Sequence, residues 1–334
     1  MKIAFTGAGY INNIHAKAVR KIKDVEIGAV VGRQTEKTAA LMEKFEIKNQ
    51  YLTVEQLLKA GKVDALVVGT PNFLHAPQTI AALKAGVHVM VEKPMAMNAR
   101  EAEKMLEAGA QSGAILMVAH NWRFDEEINW LKAQSKKMGR IIRTKGYSVH
   151  ANWGPSGWFT EKKLAGGGAM ADMGVHAIDT VRYLLGDPQP VSVHAKIGTY
   201  YGDYDVDDTG VILVEWDNGV LSYMESGWWQ PHVDGPESST QLYGEKGFGQ
   251  VFPTLLKIPN PKTQKVDIIQ SGYQFPRKEH GAQVMYDAQM AYFIKCIRGR
   301  KTPVPGGLEG WTNMKIVDAA YKSARTGRLI KISK

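Results

Sequence analysis

The chain has 334 residues, 44% apolar and 22% charged, with a formal net charge of +9. These proportions exclude a disordered chain and suggest about two domains of ~150 residues each. No stretch approaches ~20 continuous apolar residues, so a helical membrane span is not expected, and the single cysteine, Cys296, excludes an internal disulfide and a cysteine-rich zinc site.

The chain opens on MKIAFTGAGY, whose apolar run is broken by glycines. That is a poor signal-peptide core, and a cytoplasmic protein is the expectation. From here to residue 120, short apolar runs alternate with amphipathic segments. KIAFT (2–6), VEIGAVV (25–31), VDALVVG (63–69), VHVMVE (87–92) and ILMVAH (115–120) read as buried strands, and the segments between them have helical spacing. Such alternation implies a parallel sheet covered on both faces.

GAGYIN (7–12) follows the first strand and opens a helix. Gly7 permits a tight turn, and Gly9 lets the backbone approach a pyrophosphate at the helix N-terminus. Asn12 stands where a third glycine normally allows close helix–sheet packing, which loosens the match. At the end of the second strand, VVGRQ (30–34) offers Gly32 and Arg33 where an acid usually holds the adenosine ribose. An acid would repel a 2′-phosphate. Gly32 leaves room, and Arg33 can present a planar fork to a phosphate. The other reading has Arg33 facing solvent and NAD held through backbone contacts. NADP is expected over NAD.

Two further motifs lie at strand ends, Thr70-Pro71-Asn72-Phe73-Leu74-His75 and Glu92-Lys93-Pro94. Ligands of open parallel sheets bind at that edge. Lys93 there can hydrogen-bond a substrate oxygen and favour negative charge on it, or serve only as a surface lysine.

The pattern changes near residue 121. A helix around 125–137 leads to a strand, IIRTKGYSVH. The basic run KAQSKKMGRIIRTK (132–145) breaks across the two. No nucleic-acid module is recognisable, so the charge reads as an ordinary basic surface. The loop NWGPSGWF carries Trp153, Trp158 and Phe159, whose aromatic faces suit the C–H faces of sugars or pack on the second domain. Trp158 is placed nearer the substrate. GGGAMADMGVH (166–176) follows, with Asp179 three residues on. If one helix runs through Asp172 and His176, they share a face about a turn apart. A carboxylate can orient the imidazole and raise its basicity for proton abstraction. A surface pair or a core histidine is the competing reading.

From about 190 to 270 the chain reads as successive strands with turn signals, such as the hairpin at Asp217-Asn218-Gly219, and an antiparallel sheet is the simplest account. Trp228 and Trp229 are adjacent on a strand and should face opposite ways, one in the core and the other at an oligomer interface. Two helices follow, at 281–298 and 310–325. The predicted architecture is α/β, a nucleotide-type domain over 1–121 and an α+β domain over 122–334, whose final helices can pack back on the first domain.

Together the glycine turn, TPNxxH, EKP, Asn121-Trp122-Arg123-Phe124, GGGxxxDxGxH and GWTNMKIVDAAYKSARTG resemble the Gfo/Idh/MocA oxidoreductase family, almost end to end. The resemblance implies a Rossmann domain and a C-terminal domain with an open, mainly antiparallel sheet. It implies pyridine-nucleotide redox chemistry on sugar-like polyols, with no metal, and association through the sheet faces into dimers or tetramers. It puts Lys93, Asp172 and His176 on catalytic positions. Asn72, His75 and Glu92 fall on positions lining the nicotinamide and its ribose. With Gly7, Gly9, Tyr10, Ile11, Gly32, Arg33, Thr70, Pro71, Lys93 and Asn121 they form the expected cofactor site. Lys93, Arg123, Trp158, Asp172 and His176 form the expected substrate site. The same scaffold also serves ligand-sensing regulators and cofactor-dependent glycosidases; the intact Lys93, Asp172 and His176 set argues against a regulator.

Overall fold

The structure is a computed structural model and describes residues 1–61, 63–151, 154–229, 237–274 and 283–333. The chain divides into two compact units, residues 1–121 with 281–311 and residues 122–280 with 312–334.

The first unit alternates β1 (Lys2–Thr6), α1 (Tyr10–Arg20), β2 (Glu26–Val31), α2 (Glu36–Phe45), β3 (Gln50–Tyr51), α3 (Val54–Ala60), β4 (Ala65–Val68), α4 (His75–Lys84), β5 (His88–Val91), α5 (Ala99–Ser112) and β6 (Leu116–Val118). Among the described residues these strands form a six-stranded sheet in the order β3-β2-β1-β4-β5-β6, with every pair parallel. Ala65–Val68 and Val89–Val91 have no exposure at all, the burial that a sheet covered on both faces demands. Local chemistry sets the helix starts. Thr35, Thr53 and Asn98 accept the backbone N–H groups of Thr38, Gln56 and Glu101. Gly61 and Gly113 end α3 and α5 in the left-handed region. The two-residue β3 was not foreseen, because so short a strand carries no periodic signal.

The second unit contains α6 (Glu126–Gln134), β7 (Ile141–Val149), α7 (Lys162–Ala165), α8 (Val175–Leu185), β8 (Pro190–Gly198), β9 (Thr209–Trp216), β10 (Leu221–Gly227), β11 (Ser238–Gly244), β12 (Gly247–Val251), β13 (Leu255–Asn260) and β14 (Lys265–Gln270). Next in the chain come α9 (Gln283–Gly299), which belongs to the first unit, α10 (Gly307–Thr326) and β15 (Ile330–Lys331). The nine-stranded sheet of the second unit runs β14-β13-β12-β11-β7-β10-β9-β8-β15. Only the β7–β10 pair is parallel among the described strands. The hairpin between β9 and β10 turns at Gly219, in the left-handed region, as the Asp-Asn-Gly signal requires.

Helix α8 lies against this sheet. A Cβ at Gly146 of β7 would come within 2.9 Å of the Val181 side chain, so glycine admits the helix there. Along β9, Ile212, Val214 and Trp216 are buried while Leu213 is exposed; on β10, Met224 is buried and Leu221 exposed. This period-two pattern marks a sheet with one packed face and one open face. No described helix is long and apolar enough to cross a membrane.

Candidate active site

The strand order of the first sheet reverses between β1 and β4, which makes the carboxyl ends of these strands the natural ligand edge. Gly7 leaves β1 with φ +84°, and a Cβ there would lie 2.9 Å from the Gly69 carbonyl, so the turn needs glycine. Gly9 caps α1 with no side-chain hydrogen bond, and nothing lies within 4 Å of the Cβ it lacks. An uncapped helix N-terminus behind an open glycine fits a pyrophosphate. Tyr10 is exposed and Ile11 half-buried on the first turn.

Asn12, which departs from the three-glycine pattern, holds the turn in place. Its Nδ2 donates to the Thr6 carbonyl at 2.6 Å and the Gly7 carbonyl at 2.8 Å. A Cβ on Gly69 would sit 2.5 Å from Asn12 Oδ1. The small residue that allows close packing has therefore moved from the helix to the end of β4, and Asn12 stitches the turn to β1.

At the end of β2, a Cβ on Gly32 would meet only Thr38 Oγ1, at 4.0 Å. The turn backbone is held: Gln50 Nε2 donates to the Gly32 carbonyl and Thr38 Oγ1 to the Arg33 carbonyl. The Arg33 side chain is exposed.

His75 is 1% exposed, and its two ring nitrogens lie 2.9 Å from the Pro94 carbonyl and 2.8 Å from the Thr70 carbonyl. Burial pushes its pKa below the ordinary value. His75, expected to line the nicotinamide, thus spans the TPN turn and the EKP turn. Glu92 is likewise turned inward. Its Oε1 lies 2.7 Å from His15 Nε2, and its Oε2 accepts the Lys93 N–H at 3.2 Å. Glu92 thus supports the turn that carries the half-buried Lys93. His15 was missed by the sequence reading. It sits among the buried residues Ile14, Ala16 and Ala18 of α1, and a polar residue on that face was the available signal. Tyr286 of α9 meets His15 edge-on at 5.6 Å; burial and the Glu92 charge hold its hydroxyl pKa up. Thr70 Oγ1 donates to Gln78, Pro71 is half-buried, and Asn72 and Asn121 are buried at the same sheet edge.

In the second unit Gly167 and Gly168 pack against their own chain. A Cβ at Gly167 would overlap the Tyr321 hydroxyl, and one at Gly168 would overlap the Asp207 carbonyl. The Asp207 carboxylate accepts the N–H groups of Gly168 at 2.8 Å and Met170 at 2.7 Å and the Tyr321 hydroxyl at 2.7 Å. Burial raises the Asp207 pKa against these donors, and burial beside Asp207 raises that of Tyr321, so the phenol keeps its proton and donates it.

Residues Met170–Gly174 then form a π-helical turn before α8 begins at Val175. The expectation of one α-helix through Asp172 and His176 is corrected by this turn. Such turns are frequent at functional sites. Asp172 accepts a hydrogen bond from Trp228 Nε1 at 2.9 Å. The His176 ring stacks on Trp122 at 4.9 Å with the planes 22° apart. Neither partner was identified beforehand, since both lie far away in sequence.

Arg123, expected as a substrate contact, sits in an ion-pair hub. It is 4% exposed and pairs with both oxygens of Asp179 and of Asp187 at 2.7–3.0 Å. Burial works against its charge, but the two carboxylates hold its pKa above the ordinary value. Asn313 completes this ion-pair hub by donating to Asp179. Trp158 and Phe159 stack on each other at 3.8 Å and are half-buried; Trp153 lies outside the described residues. Trp228 and Trp229 lie beyond the end of β10 rather than on it; Trp228 is buried in the core, as expected of one of the pair, and the half-buried Trp229 packs against the same cluster.

The chain was also compared with known proteins. Residues 1–120 match the oxidoreductase family GFO/IDH/MocA, NAD-binding Rossmann fold, and residues 132–248 match a GFO/IDH/MocA C-terminal domain. The chain is similar to D-glucoside 3-dehydrogenase of Escherichia coli K12, 28% identical over 99% of this chain and 97% of that one. It is also similar to 1,5-anhydro-D-fructose reductase of Ensifer adhaerens, 28% identical over 92% and 91%. The fold matches the structure of a levoglucosan dehydrogenase in complex with NADH, with a TM-score of 0.89 at 21% identity over 100% and 99% of the two chains.

Proposed function

The chain belongs to the Gfo/Idh/MocA family of oxidoreductases, and on that premise we propose that it transfers hydride between a nicotinamide cofactor and a hydroxyl-bearing carbon of a sugar, inositol or related polyol. The observation that carries this reading is the π-turn segment. With the start of α8 it presents Asp172 held by an indole N–H and His176 stacked on an indole, four positions apart. The names of the two relatives, a glucoside dehydrogenase and an anhydrosugar reductase, support the substrate class.

In oxidation, His176 accepts the proton of the reacting hydroxyl. Lys93 stabilises the negative charge that develops on that oxygen. Asp172 orients His176 or the substrate hydroxyls. The bound nicotinamide supplies a hydride acceptor at C4. In reduction, His176 returns the proton and Lys93 polarises the carbonyl. Trp158 offers an aromatic face to the sugar.

The cofactor is NADP in preference to NAD. The space at Gly32 and the exposed Arg33 support this, because an acid that would repel a 2′-phosphate is absent from that position. The protein works in the cytoplasm as a homodimer or homotetramer. The open sheet face that shows Leu213 and Leu221 supports self-association.

Absorbance at 340 nm tests the activity, using NAD and NADP with a panel of glucosides, anhydrosugars, ketoses and inositols. Accumulation or consumption of reduced cofactor with at least one sugar, faster with NADP, is expected. A glycosidase would release aglycone with no net absorbance change. No change with any sugar and either cofactor contradicts the proposal.

A further inference from the structure

We propose that Trp228 is a positioning residue for Asp172, its indole N–H fixing the direction in which that carboxylate presents its second oxygen. The inference rests on the role given to Asp172 above.

The chain around Trp228 leaves its ring little choice. Trp228 is fully buried in a cluster with Ala169, Met173 and Val206. Its backbone N–H donates to the Asp208 carbonyl at 3.0 Å. Tyr204 meets the ring edge-on at 6.1 Å and 75°. Tyr204 is itself held, donating to Asp208 Oδ2 at 3.1 Å and accepting from Trp229 Nε1 at 3.2 Å. From this fixed ring the Nε1–H reaches Asp172 Oδ2 at 2.9 Å. An indole nitrogen is a donor only, so the bond favours a carboxylate oxygen without its proton.

The other end of the π-turn is equally constrained. Asp207 caps Gly168 and Met170, and the Asp172 N–H donates to the Gly168 carbonyl at 3.0 Å. The neighbours Asp207 and Asp208 therefore anchor the two sides of one device. Asp207 holds the backbone that carries Asp172, and Asp208 holds the ring that aims its carboxylate. A group acting on a reacting centre loses rate steeply when displaced by about 1 Å.

Trp228→Phe keeps most of the ring and removes the donor. The full chain is assayed with the panel sugar that reacts fastest, beside Asp172→Asn. We expect Trp228→Phe to lower kcat by about tenfold or more while KM for the nicotinamide cofactor stays at the wild-type value. The double variant should be no slower than Asp172→Asn alone, since both act through one carboxylate. A substrate-free readout accompanies this. Of the eight tryptophans, the one whose indole N–H resonance disappears in Trp228→Phe should be the one displaced in Asp172→Asn. If Trp228→Phe does not fold, the Asp172→Asn spectrum decides alone: no displaced indole resonance overturns the proposal. Wild-type kcat in Trp228→Phe, with Asp172→Asn inactive, overturns the positioning role and leaves that of Asp172 standing. Wild-type turnover in Asp172→Asn removes the role of Asp172 itself.

Discussion

Glycines cluster in similar runs in the first unit and in the second unit, and the two clusters do opposite things. Gly9 stands before open space, with nothing within 4 Å of the Cβ it lacks. Gly167 and Gly168 stand where any side chain would run into Tyr321 or Asp207. The first leaves room for a ligand; the other pair closes a turn against its own chain. Glycine-rich segments near a site are therefore not interchangeable. What the missing side chain would touch distinguishes a cofactor turn from a packing turn.

Substitutions at these positions can break that comparison. The largest effect is expected for Gly168→Ala, which sets a methyl against backbone. It should cost about 3 kcal/mol or more in denaturant unfolding, and a loss below ~0.5 kcal/mol would remove the packing account. Gly9→Ala, with φ −73° and ψ −179° open to alanine, should leave stability within ~0.5 kcal/mol. Its cofactor dissociation constant should rise about tenfold or more, as read by quenching of tryptophan fluorescence. Wild-type affinity there would mean that the phosphates are held elsewhere. Arg33→Ala sharpens the cofactor assignment. The ratio of kcat/KM for NADP to that for NAD should fall about tenfold, the worth of a lost charge-assisted hydrogen bond. An equal fall for both cofactors refutes a phosphate contact.

The smallest effect concerns pH. Burial depresses the His75 pKa in the folded chain. Below about pH 6.5 the unfolded chain then binds a proton that the folded chain resists. Stability attributable to His75 is thus complete above that pH and declines as pH falls toward the folded value. His75→Gln should flatten the stability profile on the acidic side of pH 6.5. An unaltered slope would show that His75 contributes no linked proton.

Much of the first unit was legible because its signals are local. Strand and helix alternate within a few residues, and Gly7 and Gly9 follow β1 directly. The contacts of Asn12, His75 and Glu92 were not legible, because each depends on a partner on another element or turn: Gly69, Pro94 and His15. The second unit shows the same limit more strongly. Asp172 and His176 could be picked out by spacing. Their partners Trp228 and Trp122 are 56 and 54 residues away, and the π-turn beneath them is invisible to a helical period. The ion pairs of Arg123 were not legible for the same reason, since Asp179 and Asp187 are far along the chain.

Proton transfer by His176 carries the proposed chemistry, and His176→Ala tests it most directly. Turnover at 340 nm with the best sugar of the panel and saturating cofactor is compared with wild type, alongside the cofactor dissociation constant. The account predicts a fall in kcat of about a hundredfold or more with cofactor affinity unchanged. Turnover near the wild-type rate, with cofactor bound normally, contradicts it.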